Sequence, residues 1–113
     1  MKRIIAISCF TIFLGLQSFI MQQEPEFSEK DEKLFKEHKC RLCHKIEKDR
    51  IGPAYIAVAK KYKNDDKALQ KLKASIKAGG SGKWGDKEMR AYPDLPDSTL
   101  TRLATAILNL SHQ

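Results

Sequence analysis

Cys40, Cys43 and His44 fall within five consecutive residues, Cys40-Arg41-Leu42-Cys43-His44. Two thiols three positions apart on a helical turn project side by side, and the imidazole that follows them can swing over whatever they hold. Thiol pairs of this spacing serve several chemistries. A dithiol oxidoreductase would set the pair beside a strand-helix-strand core, and no alternating strand pattern occurs in the chain. A zinc site needs four converging ligands, and beyond these three only His38 and His112 are on offer, neither at a second paired spacing. A structural disulfide across two intervening residues is strained and has no use for His44. The pattern fits covalent haem attachment, with two thioethers to the porphyrin edge and His44 as an axial ligand to iron.

What fills the sixth position separates an electron carrier from an enzyme or a gas-binding protein, since an open iron takes up oxygen, peroxide or nitric oxide. The candidates are Met89, His112 and the lysines. Met89 sits between Glu88 and Arg90 in a glycine- and proline-rich stretch, where packing alone gives no reason for a thioether. A soft sulfur ligand there would favour ferrous iron and raise the potential. His112 stands one residue from the end of a fraying helix, and His38 reads as a surface or helix-packing histidine.

The elements that must position these residues are helices throughout. Ser28 and Asp31 make a capping-box start for a first helix, with Leu34, Phe35 and His38 on one face. Pro53 suits the first position of a second, short helix carrying Tyr55, Val58, Ala59 and Tyr62. Asp65 or Asp66 can cap a third, lined by Leu69, Leu72 and Ile76 and stopped by Gly79-Gly80. From Gly79 to Pro96, four glycines and two prolines predict an irregular loop that holds Trp84 and Met89. Pro96 and Asp97 then open a last helix with Leu100, Leu103, Ala104, Ile107 and either Leu108 or Leu110 buried. The fold class is all-α, four to five helices around one haem.

The 113 residues carry a formal charge of +7, which bounds both size and partners. Lys2 and Arg3 precede Ile4 to Ile20, an uncharged run rich in Ile, Leu and Phe. Residues 1–21 are expected to be a secretory signal peptide or an uncleaved N-terminal anchor, which makes the protein periplasmic or otherwise extracytoplasmic. Cys9 lies inside that segment and is incidental. Residues 22–27 read as a linker, and 28–113 as the domain. About 90 residues bury too little apolar surface to be comfortable alone, so covalent cofactor support is expected. Lysines are spread along the chain without a concentrated arginine and aromatic stripe, which argues against nucleic acid and for acidic protein partners. Lys39, Lys45, Lys48 and Lys83 are the candidates for steering them.

Cys40-Arg41-Leu42-Cys43-His44, Ile51-Gly52-Pro53-Ala54-Tyr55, Gly79-Gly80-Ser81-Gly82-Lys83-Trp84-Gly85 and Met89 together resemble the small bacterial class I cytochromes c of the c-551 type. The likeness runs from about Phe27 to Leu110. It implies a monomeric single-electron carrier rather than an enzyme, with one haem c bound through Cys40 and Cys43 and iron held by His44 and Met89. By the same resemblance Pro53 offers its carbonyl to the second nitrogen of His44. Trp84 donates its indole N–H to a haem propionate, and the first and last helices pack through Leu34, Phe35, Leu103 and Ile107. Partners of the class would be a terminal oxidase, a nitrite reductase or a peroxidase. Two departures stand out. Arg90 and Ala91 follow Met89 where the family usually has prolines, and Ser75 replaces an arginine that in some members reaches the propionates, leaving Lys83 to compensate. A haem enzyme or gas-binding protein with an open sixth position, and a membrane-tethered redox subunit, are the alternatives.

Overall fold

The computed structural model describes residues 23–113; the segment expected as leader or anchor lies outside the described residues. Four helices, α1 (Glu29–Glu37), α2 (Tyr55–Tyr62), α3 (Ala68–Ala78) and α4 (Asp97–Asn109), are joined by irregular chain and two single 3-10 turns, Cys40–Leu42 and Leu110–His112. Among the described residues the only β-pairing is one isolated bridge, Gly80 with Met89. None of the described helices is long and apolar enough to cross a membrane.

α4 is the central element, packing on α1, α2 and α3. Its period-3.6 apolar face explains why: Leu100, Leu103, Ala104 and Ile107 are all buried. Leu110 is buried too while Leu108 is half-buried, because the helix tightens into its terminal 3-10 turn and carries Leu110 inward. α1 supplies Phe35, with Leu34 partly buried against the core, and Arg102 of α4 pairs with Asp31 of α1 at 2.8 Å. The Ser28 side chain accepts the Asp31 N–H at 3.2 Å, the cap read from the sequence.

Three expectations are corrected. Phe27, assigned to a linker, is a core residue: its ring stacks on Phe35 at a centroid distance of 4.3 Å and tilts against Tyr55 at 5.4 Å. Pro53 is not the first residue of α2, which begins two residues later because the Pro53 carbonyl is engaged elsewhere. Nor do Asp65 and Asp66 cap α3 directly. Lys67 is the cap residue, and Asp65 instead accepts the Lys67 N–H at 2.9 Å, closing the turn that leads into the helix. The face of α3 is Ala68, Leu72 and Ile76, with Leu69 half-buried.

Candidate haem site

α1 ends at Glu37 and His38 caps it. Lys39 then adopts a left-handed backbone, φ 59°, and this single reversal starts the 3-10 turn that carries the cysteines. The carbonyl of Cys40 accepts from the backbone N–H groups of Cys43 at 3.2 Å and His44 at 3.0 Å. Both thiols are free and partly buried, and burial pushes the Cys40 thiol above its ordinary value.

His44 is 9 % exposed. Its Nδ1 lies 2.8 Å from the Pro53 carbonyl. A carbonyl only accepts, so Nδ1 carries the proton and Nε2 keeps its lone pair. Burial lowers the His44 pKa below the ordinary imidazole value; the Pro53 bond opposes this and the Arg41 guanidinium adds to it. The ring is therefore neutral at neutral pH. It stacks on Tyr55 at 4.9 Å and 18°, and on another side the Gly52 backbone comes so close that a Cβ there would lie 2.4 Å from Cε1.

The chain between His44 and α2 doubles as the cap of that helix. Tyr55 N–H donates to the Lys45 carbonyl at 2.9 Å, Ile56 N–H to the Ile46 carbonyl at 3.0 Å, and Ala54 N–H to the Asp49 carboxylate at 2.8 Å. The unpaired donors of the helix start are thus satisfied by the segment that bears the imidazole, which locks the two together.

Met89 is partly buried against the core. It exchanges two backbone hydrogen bonds with Gly80, both 2.9 Å, so the long loop closes on itself at the methionine. Trp84 is 42 % exposed, with the Lys61 ammonium 4.5 Å above its ring. Lys83 Nζ donates to Ser75 Oγ at 3.0 Å, which draws that ammonium to the position where the arginine is missing.

All six residues singled out from the sequence, Cys40, Cys43, His44, Pro53, Trp84 and Met89, line one cleft of about 390 Å³, a volume ordinary for a small-molecule site, roughly 300–1,000 Å³. Its walls are largely apolar, with Tyr55, Val58, Leu72, Ile76, Leu103 and Ile107 among them. Two open thiols, a neutral imidazole with a free nitrogen and a thioether on the rim of an apolar slot fit a covalently held haem. Among the described residues no three His, Cys, Asp or Glu side chains gather as a metal cluster, so a zinc site has no support there. Of the four lysines proposed for steering, Lys39 and Lys83 line the cleft; Lys45 and Lys48 are exposed but do not line it. The sequence reading missed Tyr92, which also lines the cleft and whose hydroxyl donates to the His38 carbonyl at 2.9 Å. An aromatic three residues after Met89 was the available signal.

No protein-family model matches the chain. Individual proteins do. Cytochrome c-551 of Allochromatium vinosum is 41 % identical over 71 residues, 63 % of this chain and 76 % of the relative. Cytochrome c-552 of Hydrogenobacter thermophilus is 39 % identical over 80 residues, covering 71 % and 81 %. The crystal structure of cytochrome c552 from Nitrosomonas europaea superposes with a TM-score of 0.68 at 36 % identity, covering 71 % of this chain and 99 % of that one.

Proposed function

Because the chain belongs to the small class I cytochromes c of the c-551/c-552 type, which carry one covalently attached haem c, we propose that it is an exported single-electron carrier, not an enzyme, with iron ligated by His44 and Met89. The observation that carries this reading is the convergence of Cys40, Cys43, His44 and Met89 on one apolar cleft. The haem supplies a one-electron ferric/ferrous couple. The residues around it supply constancy. Pro53 and Tyr55 hold the His44 ring in one tautomer and one orientation, and the Gly80 bridge holds the Met89 backbone. Little then needs to rearrange between oxidation states, the property a shuttle requires. Trp84 and Lys83 would take the haem carboxylates. The uncharged run Ile4 to Ile20 supports export.

Ferric protein at neutral pH should show the weak far-red absorption of a sulfur-ligated haem, and Met89→Ala should lose it completely. The substitution should also lower the potential, on the order of a tenth of the roughly 0.8 V that axial ligands span. Wild type lacking that band and binding carbon monoxide rapidly when reduced would establish the enzyme or gas-binding reading instead.

Acidic redox proteins, such as a terminal oxidase, nitrite reductase or peroxidase, are the proposed partners of a monomer. Leu42 and Ile51 are 60 % and 51 % exposed beside the cleft, and Lys39, Lys83 and Lys87 lie along its lining. An apolar centre with a cationic rim suits a small, short-lived interface. Electron transfer to an acidic partner should slow at least about tenfold between 0.01 and 0.15 M salt, as the Debye length contracts from roughly 30 to 8 Å. A stopped-flow rate indifferent to salt would remove the lysines from the account.

A further inference from the structure

Met89 is followed by Arg90 and Ala91, neither of which restrains the backbone as proline does. The restraint lies one residue further on, in Tyr92. Its N–H is shared between the carbonyls of Ile76 at 3.2 Å and Lys77 at 3.1 Å in the last turn of α3. Its hydroxyl reaches across the molecule to the His38 carbonyl at 2.9 Å, 54 positions away in sequence. The Arg90 guanidinium lies 4.9 Å from its ring centroid, folding the residue after the methionine onto the same side chain. His38 is two residues before Cys40, so one side chain links the methionine loop to the haem-attachment turn.

We propose that Tyr92 is a positioning residue for Met89, its hydroxyl bond to His38 holding the sulfur-bearing loop against the attachment turn so that other ligands compete poorly for the iron. The inference rests on the reading of Met89 as the sixth ligand. The Cys40 thiol also points to the His38 carbonyl, at 3.8 Å. Thioether formation would move that thiol hydrogen to a haem vinyl carbon, leaving the Tyr92 hydroxyl as the side-chain donor to the His38 carbonyl.

The test uses ferric holoprotein titrated with imidazole, which competes with the methionine sulfur and bleaches the far-red band. Tyr92→Phe keeps the ring and its contact with Arg90 and removes only the hydroxyl. It should bind imidazole about three- to tenfold more tightly, the range one hydrogen bond of ordinary strength corresponds to. Ser28→Ala removes the α1 cap at a residue that does not line the cleft, and weakens the fold generally; its imidazole affinity should stay at the wild-type value. Wild-type affinity in Tyr92→Phe overturns the proposal, and so does an equal rise in Ser28→Ala, which would reduce the effect to global stability. A wild-type spectrum without the far-red band sinks the Met89 ligation and this inference with it. An intact band with an unresponsive Tyr92→Phe sinks the inference alone.

Discussion

Gly52→Ala should destabilise the holoprotein by about 3 kcal/mol, seen as a fall of roughly 12–24 °C in the thermal midpoint of a domain this size. A Cβ at Gly52 would sit 2.4 Å from Cε1, 2.8 Å from Nδ1 and 2.9 Å from Nε2 of His44. The ring has nowhere to retreat without loss. Tyr55 is stacked on it, and the Nδ1 proton is committed to Pro53. Gly52 is itself tied down, its N–H donating to the Cys43 carbonyl at 2.8 Å. Relief has to come from displacing the imidazole, which combines an overpacking cost of about 1–3 kcal/mol with the loss of a buried hydrogen bond worth about 1 kcal/mol. The visible spectrum should change along with the stability. An unshifted midpoint with an unchanged spectrum would mean that the His44 ring does not rest on Gly52.

Gly79→Ala should act on the methionine side of the cleft, costing about 3 kcal/mol or more and, if Met89 is the sixth ligand, weakening the far-red band. Gly79 has φ 62° and ψ −151°, a backbone combination that side-chain-bearing residues adopt only at a cost of roughly 1–3 kcal/mol. Its Cβ would also meet the Met89 carbonyl oxygen at 2.4 Å, the Ala91 nitrogen at 2.7 Å and the Arg90 carbonyl carbon at 2.8 Å. These are backbone atoms, so no rotamer change relieves the contact; the segment Met89 to Ala91 must move away from α3. Gly82→Ala is the matched comparison, because a Cβ there meets nothing within 4 Å. It should cost less and leave the band intact. Equal effects from the two substitutions would attribute the result to backbone conformation alone.

The pattern of apolar residues was enough to read the four helices, since each uses a short-range period with a local start or stop: Ser28 before α1, Asp97 opening α4, Gly79 ending α3. The attachment motif nominated Cys40, Cys43 and His44, the glycine- and proline-rich setting singled out Met89, and the family resemblance added Pro53 and Trp84. Local signals misled where a distant partner had a stronger claim. Proline at a helix start is a sound expectation, yet the Pro53 carbonyl serves His44, and the donors of α2 are met by Lys45, Ile46 and Asp49. Phe27 has no periodic neighbours upstream, so nothing local revealed its place beside Phe35 and Tyr55. Tyr92 stood out only as an aromatic three residues after Met89, and its role did not show. Its hydroxyl partner is a backbone carbonyl, which every residue possesses and no sequence pattern marks.

Trp84 is the single tryptophan of the chain, and it lies on the wall of the cleft under the Lys61 ammonium. With a haem in that cleft, the indole on its wall would transfer its excitation to the porphyrin and scarcely fluoresce, and unfolding would separate the two except through the tether at Cys40 and Cys43. The protein therefore carries its own optical ruler. Tryptophan emission would report the separation of the glycine-rich loop from the haem, while the far-red band would report Met89, five residues further along the same loop. Coincident recovery of one and loss of the other would mark a single cooperative opening; emission rising first would show the loop lifting while the sulfur still holds.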